Sequence, residues 1–312
     1  MNIIVWNVRG INDPLKWRAV ISRIRGLRCN LVCLIETRVK ENKFQAIVDK
    51  GFNGWGKLQN YSSARNGRIW ILWSNLVKVE VKDSNDQCIT CLVSFESKQF
   101  WISTVYGANE GIERKRLWQH LISIKGQLSQ KPWVLAGDFN IIADPSESSS
   151  YNGTQRLTME AKEFNECLQQ LEVLDHVYNG PIYTWSNRQG KGYIAKKLDR
   201  VLINGEWLLK FPESKVEFLP PGESDHCSAM IQLSQNYFSP PKPFKMFNFW
   251  TRHPEFLQVV WNSWEAPVTG SPMARLHIKL KRLKSFLREF NQSKFSDISQ
   301  KVREKRKEYE DI

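Results

Sequence analysis

Residues 133–140 read WVLAGDFN: four apolar residues, Trp133 to Ala136, that stop abruptly at Gly137-Asp138-Phe139-Asn140. An unbroken apolar run of this kind predicts a strand covered on both faces. Such strands present their carboxyl ends to a crevice where ligands bind. Gly137 lets the backbone turn there, and Asp138 and Asn140, two apart, fall on one side of an extended chain. Gly-Asp-x-Asn is equally good turn chemistry, because Asp and Asn bond their own backbone and tolerate unusual dihedrals. The octapeptide alone leaves both readings open, and the rest of the chain decides between them.

Upstream, residues 3–8 (IIVWNV) read as a strand, 14–25 (PLKWRAVISRIR) as a helix opened by Pro14, and 31–37 (LVCLIET) as a second buried strand. The chain thus starts as a β-α-β unit. Strand patterns follow at 68–73, 78–82, 88–95 and 100–107, and a helical pattern at 112–128 leads into WVLAGDFN. Beyond a Ser-rich loop at 146–150, residues 158–171 have helical spacing, and YTWS (183–186), KKLDRVLI (196–203) and CSAMIQL (227–233) read as further strands. This alternation predicts an α/β domain over 1–238, with two packed sheets and helices outside them. The prolines of NYFSPPKPFKMF (236–247) continue neither a helix nor a central strand, so the domain boundary is placed there.

Residues 239–312 are predicted to form a mainly helical connector, aromatic first and basic later. Leu276, Leu280, Leu283 and Leu287 recur at helix spacing among Lys279, Lys281, Arg282 and Lys284, the pattern of an amphipathic helix packed on something. The last stretch, KVREKRKEYEDI, carries no helix stop signal and reads as leading onward into a longer polypeptide.

A formal net charge of +13 over 312 residues points to a polyanionic partner such as nucleic acid. Residues 239–312 hold 15 Lys and Arg against 8 Asp and Glu, so the excess lies on both parts of the chain. No apolar run approaches the length needed to span a bilayer, and the N-terminus lacks the pattern of a secretory signal, so an intracellular protein is expected. Six cysteines in a chain of this length form no disulfide framework. Cys88 and Cys91 have CxxC spacing, but within a strand their sulfurs face opposite sides, which argues against zinc.

Polar groups recur at apolar strand ends. Asn7 interrupts the first strand, Glu36 ends the second, Tyr106 closes another, Asp199 sits inside KLDRVL, and Asp225-His226 precedes the last. Each has an ordinary explanation as a rim charge, core residue or turn. A buried charge is tolerated mainly when paired, hydrogen-bonded or bound to metal, and one shared site explains all five together.

With these residues in hand, the chain resembles the endonuclease/exonuclease/phosphatase (DNase I-like) superfamily through WNVRG (6–10), LIET (34–37), VYGANE (105–110), GDFN (137–140), YTWS (183–186), KLDRVL (197–202) and SDH (224–226). The resemblance spans 1–235 and is strongest to the endonuclease domain of plant non-LTR (LINE-type) retrotransposon polyproteins, where PFKMFNFWTRHPEF would lead toward a reverse transcriptase. It implies a four-layered α/β/β/α sandwich with a C-terminal helical extension. It also implies a Mg²⁺-dependent (or Mn²⁺-dependent) phosphodiesterase acting on DNA in the nucleus, with Glu36, Asn7 and Asp225 at the metal. Asp138 and Asn140 are implied to act on water and phosphate, Tyr106 on a phosphate oxygen, and His226, oriented by Asp199, on the phosphate. Thr184 is expected on a substrate-facing loop.

Two departures from the family pattern bear on this reading. Arg9 stands where many relatives have an acidic metal ligand, which removes a negative charge and favours phosphate contact. Lys196 and Lys197 replace a tryptophan that lines the sugar pocket of abasic-site enzymes, so ordinary DNA, chosen by shape, is the expected substrate. An inactive nucleic-acid-binding remnant and a phosphatase of small phosphorylated molecules are the rival readings, since a fold alone does not fix function.

Overall fold

β1 (Asn2–Asn7) is buried almost throughout, and α1 (Pro14–Gly26) begins where the Asp13 side chain accepts from the Leu15 amide and Pro14 takes the first turn. Aspartate caps the free amides there and proline loses no hydrogen bond. The computed structural model describes residues 1–64, 68–128, 130–233, 246, 248–269 and 272–295. After β2 (Leu31–Ile35) come α2 (Glu41–Phe52), β3 (Gly56–Gln59), β4 (Ile69–Trp73), β5 (Val77–Ser84), β6 (Cys88–Phe95), β7 (Lys98–Tyr106), α3 (Gly111–Leu128) and β8 (Trp133–Asp138). The domain continues with α4 (Met159–Leu171), β9 (Val173–Asp175), β10 (Tyr178–Asn179), β11 (Trp185–Ser186), β12 (Ala195–Lys196), β13 (Asp199–Asn204), α5 (Gly205–Lys210), β14 (Lys215–Leu219) and β15 (Ser228–Gln232).

The strands form two large sheets, ordered β10-β14-β15-β1-β2-β4-β3 and β5-β6-β7-β8-β13-β9, with β11-β12 as a separate hairpin. Alternation along each strand divides the side chains between layers. From β1, Ile3 and Val5 enter the core between the sheets with Ile71, Ile89, Ile102 and Val134. Ile4 and Trp6 face outward and are covered by Trp17, Val20 and Ile24 of α1 and by Val48 and Phe52 of α2. On the other sheet, Trp133 and Leu135 are covered by Leu117, Trp118 and Leu121 of α3 and by Phe164 and Cys167 of α4. The result is the α/β/β/α sandwich, and burial on both faces is why the central strands read as unbroken apolar runs. Cys91 lies in the inter-sheet core and Cys88 in the outer one, on opposite faces of β6. All six cysteines are buried and free.

The sequence reading merged or missed several elements. KKLDRVLI divides into β12 and β13 because Lys197 N–H goes to Glu147 O and Leu198 N–H to the Thr184 hydroxyl, not to a neighbouring strand. YTWS contributes only Trp185 and Ser186 to a strand. The short β14 was missed although Val216 and Phe218 are buried and alternate with Lys215 and Glu217.

The chain leaves β8 through Gly137, whose φ is +147°, and a Cβ built there would lie 1.9 Å from Val105 O in the parallel neighbour β7. Gly137→Ala is therefore expected to cost at least about 3 kcal/mol, from strain plus forced separation of β7 and β8. Urea unfolding checks this, and a midpoint equal to wild type would refute it.

Chain contacts divide the protein into Met1–Tyr237 and Phe238–Ile312. In the second unit, α6 (Phe256–Glu265) and α7 (Pro272–Phe295) pack around Trp250, Phe256, Leu287 and Phe290. Lys294 Nζ meets Glu255 Oε1 at 2.7 Å. Leu287 is buried, whereas Leu276 and Leu280 of the predicted apolar stripe are exposed. Apart from Met246, the proline-rich boundary at 236–247 lies outside the described residues, as does KVREKRKEYEDI at 301–312.

Candidate active site

The polar strand ends converge on one edge of the sandwich. Asn7 ends β1, Glu36 follows β2, Tyr106 ends β7 and Asp138 ends β8, while Asp199 begins β13, which runs antiparallel to β8 with Asp199 opposite Asp138. His226 precedes β15, which is antiparallel to β1. Topology alone thus brings the carboxyl ends of four strands and the amino ends of two others together.

Asn7 ties the two sheets at this edge. Its buried side-chain amide donates to Glu36 Oε2 at 2.9 Å and to Asp138 Oδ2 at 2.8 Å, and its Oδ1 accepts from Arg9 N at 3.0 Å. The Ser224 hydroxyl donates to Asn7 O at 2.6 Å, which fixes the segment carrying Asp225 and His226 against β1. Trp6 Nε1 donates to His226 O at 3.1 Å.

Asp138, Asp199 and His226 are all buried. His226 Nδ1 lies 2.9 Å from Asp199 Oδ2, while its Nε2 is 3.8 Å from Asp138 Oδ2, too far for a direct hydrogen bond. Burial alone would push the imidazole down, but the Asp199 and Asp138 carboxylates outweigh it and lift His226 to about 9. Asp138 is raised to about 6, chiefly by burial and further by Asp199, against the lowering effect of His226. At neutral pH this pairs an imidazolium with a carboxylate poised to accept a proton, the separation of roles that acid–base chemistry requires.

Beside this centre, Glu36, Arg38, Arg68, Tyr106 and Asn109 line a cleft of about 420 Å³. A larger surface concavity, about 650 Å³ around Ser94, Gln99, Pro132 and Lys210, lies at the opposite end of β8 and gathers none of these groups. The Tyr106 phenol is pushed well above its ordinary range by burial and by the Glu36 and Asp138 carboxylates, so it stays protonated as a donor. Strained backbone concentrates here: Arg9, Glu36, Arg38 and Asn140 all have φ between +45° and +55°.

A divalent cation fits at Glu36. Its carboxylate walls the cleft, receives among the described residues Arg38 on Oε1 and the Asn7 amide on Oε2, and offers hard oxygen to an ion that keeps several waters. Asp225 has its Oδ2 engaged by Arg9 and, at 3.0 Å, by Trp185 Nε1, while its Oδ1 lies 3.5 Å from the Ser224 hydroxyl and stays the more available oxygen. Asp138, Asp199 and His226 also present ligand atoms within 4.8 Å of one another. An imidazole raised to about 9 and already bonded to Asp199 has no lone pair to give at neutral pH, so this trio suits proton chemistry better than metal.

The site gathers Asn7, Arg9, Glu36, Tyr106, Asp138, Asn140, Asp199, Asp225 and His226, and it places others differently from expectation. Thr184 is 1% exposed, and its hydroxyl accepts from Leu198 N at 3.0 Å and Asp199 N at 2.8 Å. It supports Asp199 from within the loop. Lys197, expected on the phosphate backbone, is 7% exposed, with Nζ 2.8 Å from Asp175 Oδ2 in a cluster with Arg200 and Glu147. Its ammonium is thus engaged in an ionic cluster, shared with Arg200, on the Asp175 and Glu147 carboxylates. Lys196 remains partly exposed and lines a cleft of about 190 Å³ with Ser148, Tyr151 and Arg156.

Asn140 corrects the extended-chain picture of GDFN. Its φ of +51° turns the chain, its N–H returns to Asp138 Oδ1 at 2.9 Å, and its side-chain amide donates to Gly107 O at 2.7 Å. The stretch is both a turn and a site, because the turn aims Asp138. Trp185, Ser224 and Arg38 escaped the sequence reading, although each lies inside or beside a motif it used.

A sequence profile described as the Endonuclease/Exonuclease/phosphatase family matches residues 4–226. An exodeoxyribonuclease of Bacillus subtilis (strain 168) is 23% identical over 263 residues, covering 75% of this chain and all of that protein. Among solved structures, the endonuclease domain of TRAS1, a telomere-specific non-LTR retrotransposon, matches with a TM-score of 0.58 at 11% identity, over 75% of this chain and 98% of that one. A functionally unknown conserved protein from Enterococcus faecalis V583 matches with a TM-score of 0.53 at 15% identity, over 76% of this chain and all of that one.

Proposed function

The chain belongs to the endonuclease/exonuclease/phosphatase family, and from that premise we propose that it is a divalent-metal-dependent DNA endonuclease that hydrolyses one strand and leaves a 3′-hydroxyl. The observation that carries this reading is the buried Asp138–His226–Asp199 centre at the junction of two sheets, next to a cleft walled by Glu36 and Tyr106. The nuclease relatives and the basic charge of the chain support DNA over a small phosphorylated molecule.

In this mechanism Asp138 takes a proton from the attacking water as its oxygen bonds phosphorus. The bond from phosphorus to the 3′-oxygen breaks, that oxygen takes a proton from solvent water, and Asp138 later returns its own proton to solvent. His226, held as imidazolium by Asp199, donates from Nε2 to a non-bridging oxygen, and the Tyr106 hydroxyl donates to another. Asn7 fixes Asp138 and Glu36 relative to each other. A Mg²⁺ ion held by Glu36 would neutralise charge developing on the phosphate and the leaving oxygen. In a longer parent polypeptide, a 3′-hydroxyl would serve a reverse transcriptase as primer, and such a reaction belongs in the nucleus.

Two measurements test this. Nicked circles should be sealed directly by DNA ligase and extended by a polymerase; a 3′-phosphate product would block both and refute the proposed polarity. The pH profile of kcat/KM should be bell-shaped, rising through about 6 as Asp138 loses its proton and falling through about 9 as His226 loses its own. A profile flat between 5 and 10 would contradict the assigned roles.

A further inference from the structure

The α6–α7 pair carries two rows of side chains that its own core leaves uncovered. Phe256, Val259 and Val260 turn toward Leu283, Leu287 and Phe290 of α7. Leu257, Trp261 and Trp264, at i, i+4 and i+7, share a different face of α6. Leu257 is 74% exposed and Trp261 65%, while Trp264 is half-buried. On α7, Arg275, Lys279 and Arg282 have the same i, i+4, i+7 spacing and likewise form one row.

The helices run antiparallel, and their contacts set the two rows side by side. Glu255, ahead of α6, meets Lys294 near the end of α7. Arg282 donates to Ala266 O at 2.8 Å, just past the end of α6, and Lys279 Nζ lies over the Trp264 ring, 5.3 Å from its centroid. Arg275, exposed, follows one turn further out, toward the end of the pair where α6 has stopped.

Positive charge on α7 is nearly unopposed. Residues 272–295 carry seven Lys and Arg against one Glu, and among the described residues Lys294 is the only one of the seven with a carboxylate partner. A polyanion therefore complements this face, and the indoles select its kind. An exposed aromatic ring gains most from the flat face of an unpaired base, which a duplex keeps stacked inside. A lipid surface fits less well. It calls for a continuous apolar face, whereas Leu283 and Leu287, which continue the Leu276–Leu280 stripe, are turned into the core of the pair.

We infer that Trp261, Trp264, Arg275, Lys279 and Arg282 form a binding surface for single-stranded nucleic acid, with Trp261 stacking on a base and the three cations following the phosphates. This surface shares no residue with the Asp138–His226–Asp199 centre and does not rest on the nuclease reading.

The test is titration of the full chain in EDTA against a fluorescently labelled oligo(dT) of about 12 nucleotides and a labelled duplex of about 30 base pairs, read by anisotropy. Trp261→Ala is expected to weaken oligo(dT) binding about tenfold, the loss of one stacked base, and Trp261→Phe to stay within about threefold of wild type. Arg275→Ala makes the oligo(dT) slope of log K against log salt shallower by about 0.7. Duplex affinity and plasmid nicking by Trp261→Ala stay at the wild-type level, and its circular dichroism is unchanged because the ring is largely in solvent. Unchanged oligo(dT) affinity in Trp261→Ala overturns the surface, as do equal losses on both nucleic acids. Adsorption of wild type to phosphatidylserine vesicles without binding of oligo(dT) overturns it in favour of a lipid partner. Plasmid nicking by wild type reports on the nuclease reading separately.

Discussion

Asp138→Asn is expected to lower the rate constant for strand cleavage about 10³-fold, the contribution of a positioned general base. The carboxylate is 1% exposed and raised to about 6 mainly by burial, so it is ionised at neutral pH yet basic enough to take a proton. An amide of the same shape cannot do so. The substitution also costs stability: Asp138 accepts from Asn140 N on Oδ1 and from the Asn7 amide on Oδ2, and an amide in either orientation turns its NH₂ toward one of those donors. One unmet pairing of this kind costs about 1–3 kcal/mol, which lowers the urea midpoint without abolishing the fold. Single-turnover cleavage at saturating DNA, alongside binding in EDTA, separates the two effects. If cleavage falls less than about tenfold, Asp138 is not the base.

Asp199→Asn is the second large effect, and it acts through His226. Once the Asp199 charge is gone, burial is left as the largest influence on the imidazole and pushes it down. The alkaline limb of the pH profile then moves below about 9, and at pH 8 the rate falls about 10²-fold or more as the imidazolium donor is lost. Lowering the pH toward 7 recovers part of that loss, a rescue that simple misfolding would not show. Stability carries the same sign. His226 binds its proton more tightly folded than unfolded, so its contribution is fully present below the ordinary value of 6.5 and is lost as pH rises through about 9. Wild type therefore loses stability across that window, and Asp199→Asn loses less. Identical alkaline limbs in the two proteins would remove Asp199 from its assigned role.

The readable parts of this protein were those where one rule acted alone. The central strands announced themselves because burial on both faces leaves no polar residue to break the apolar run, and Pro14 behind Asp13 marked the start of α1. The polar strand ends were legible as a group because five such interruptions call for a common cause. Side-chain direction was not legible. Nothing in KKLDRVL distinguishes Lys196, which stays partly exposed, from Lys197, which turns inward to Asp175, because the partner lies 22 residues away on β9. Thr184 looked like a substrate-facing hydroxyl until its two backbone donors, Leu198 N and Asp199 N, came into view. Asn140 misled for a different reason: strand alternation was carried past Gly137 into a left-handed residue, where it no longer holds. Arg9, read from sequence as a lost metal ligand, is better understood with Arg38, since each neutralises one carboxylate of the pair expected to hold the ion.

The central claim is that this edge of the sandwich hydrolyses DNA through Glu36 and the His226–Asp199 pair. The most direct measurement is conversion of supercoiled plasmid to open circles by the full chain in Mg²⁺ or in EDTA, beside Glu36→Ala and His226→Ala. Mg²⁺-dependent open circles from wild type, absent in EDTA and reduced at least about 10²-fold in both variants, are the predicted result. A wild-type protein that is folded by circular dichroism and binds the plasmid, yet never nicks it with Mg²⁺ or Mn²⁺, would contradict the account and leave a DNA-binding protein without catalysis.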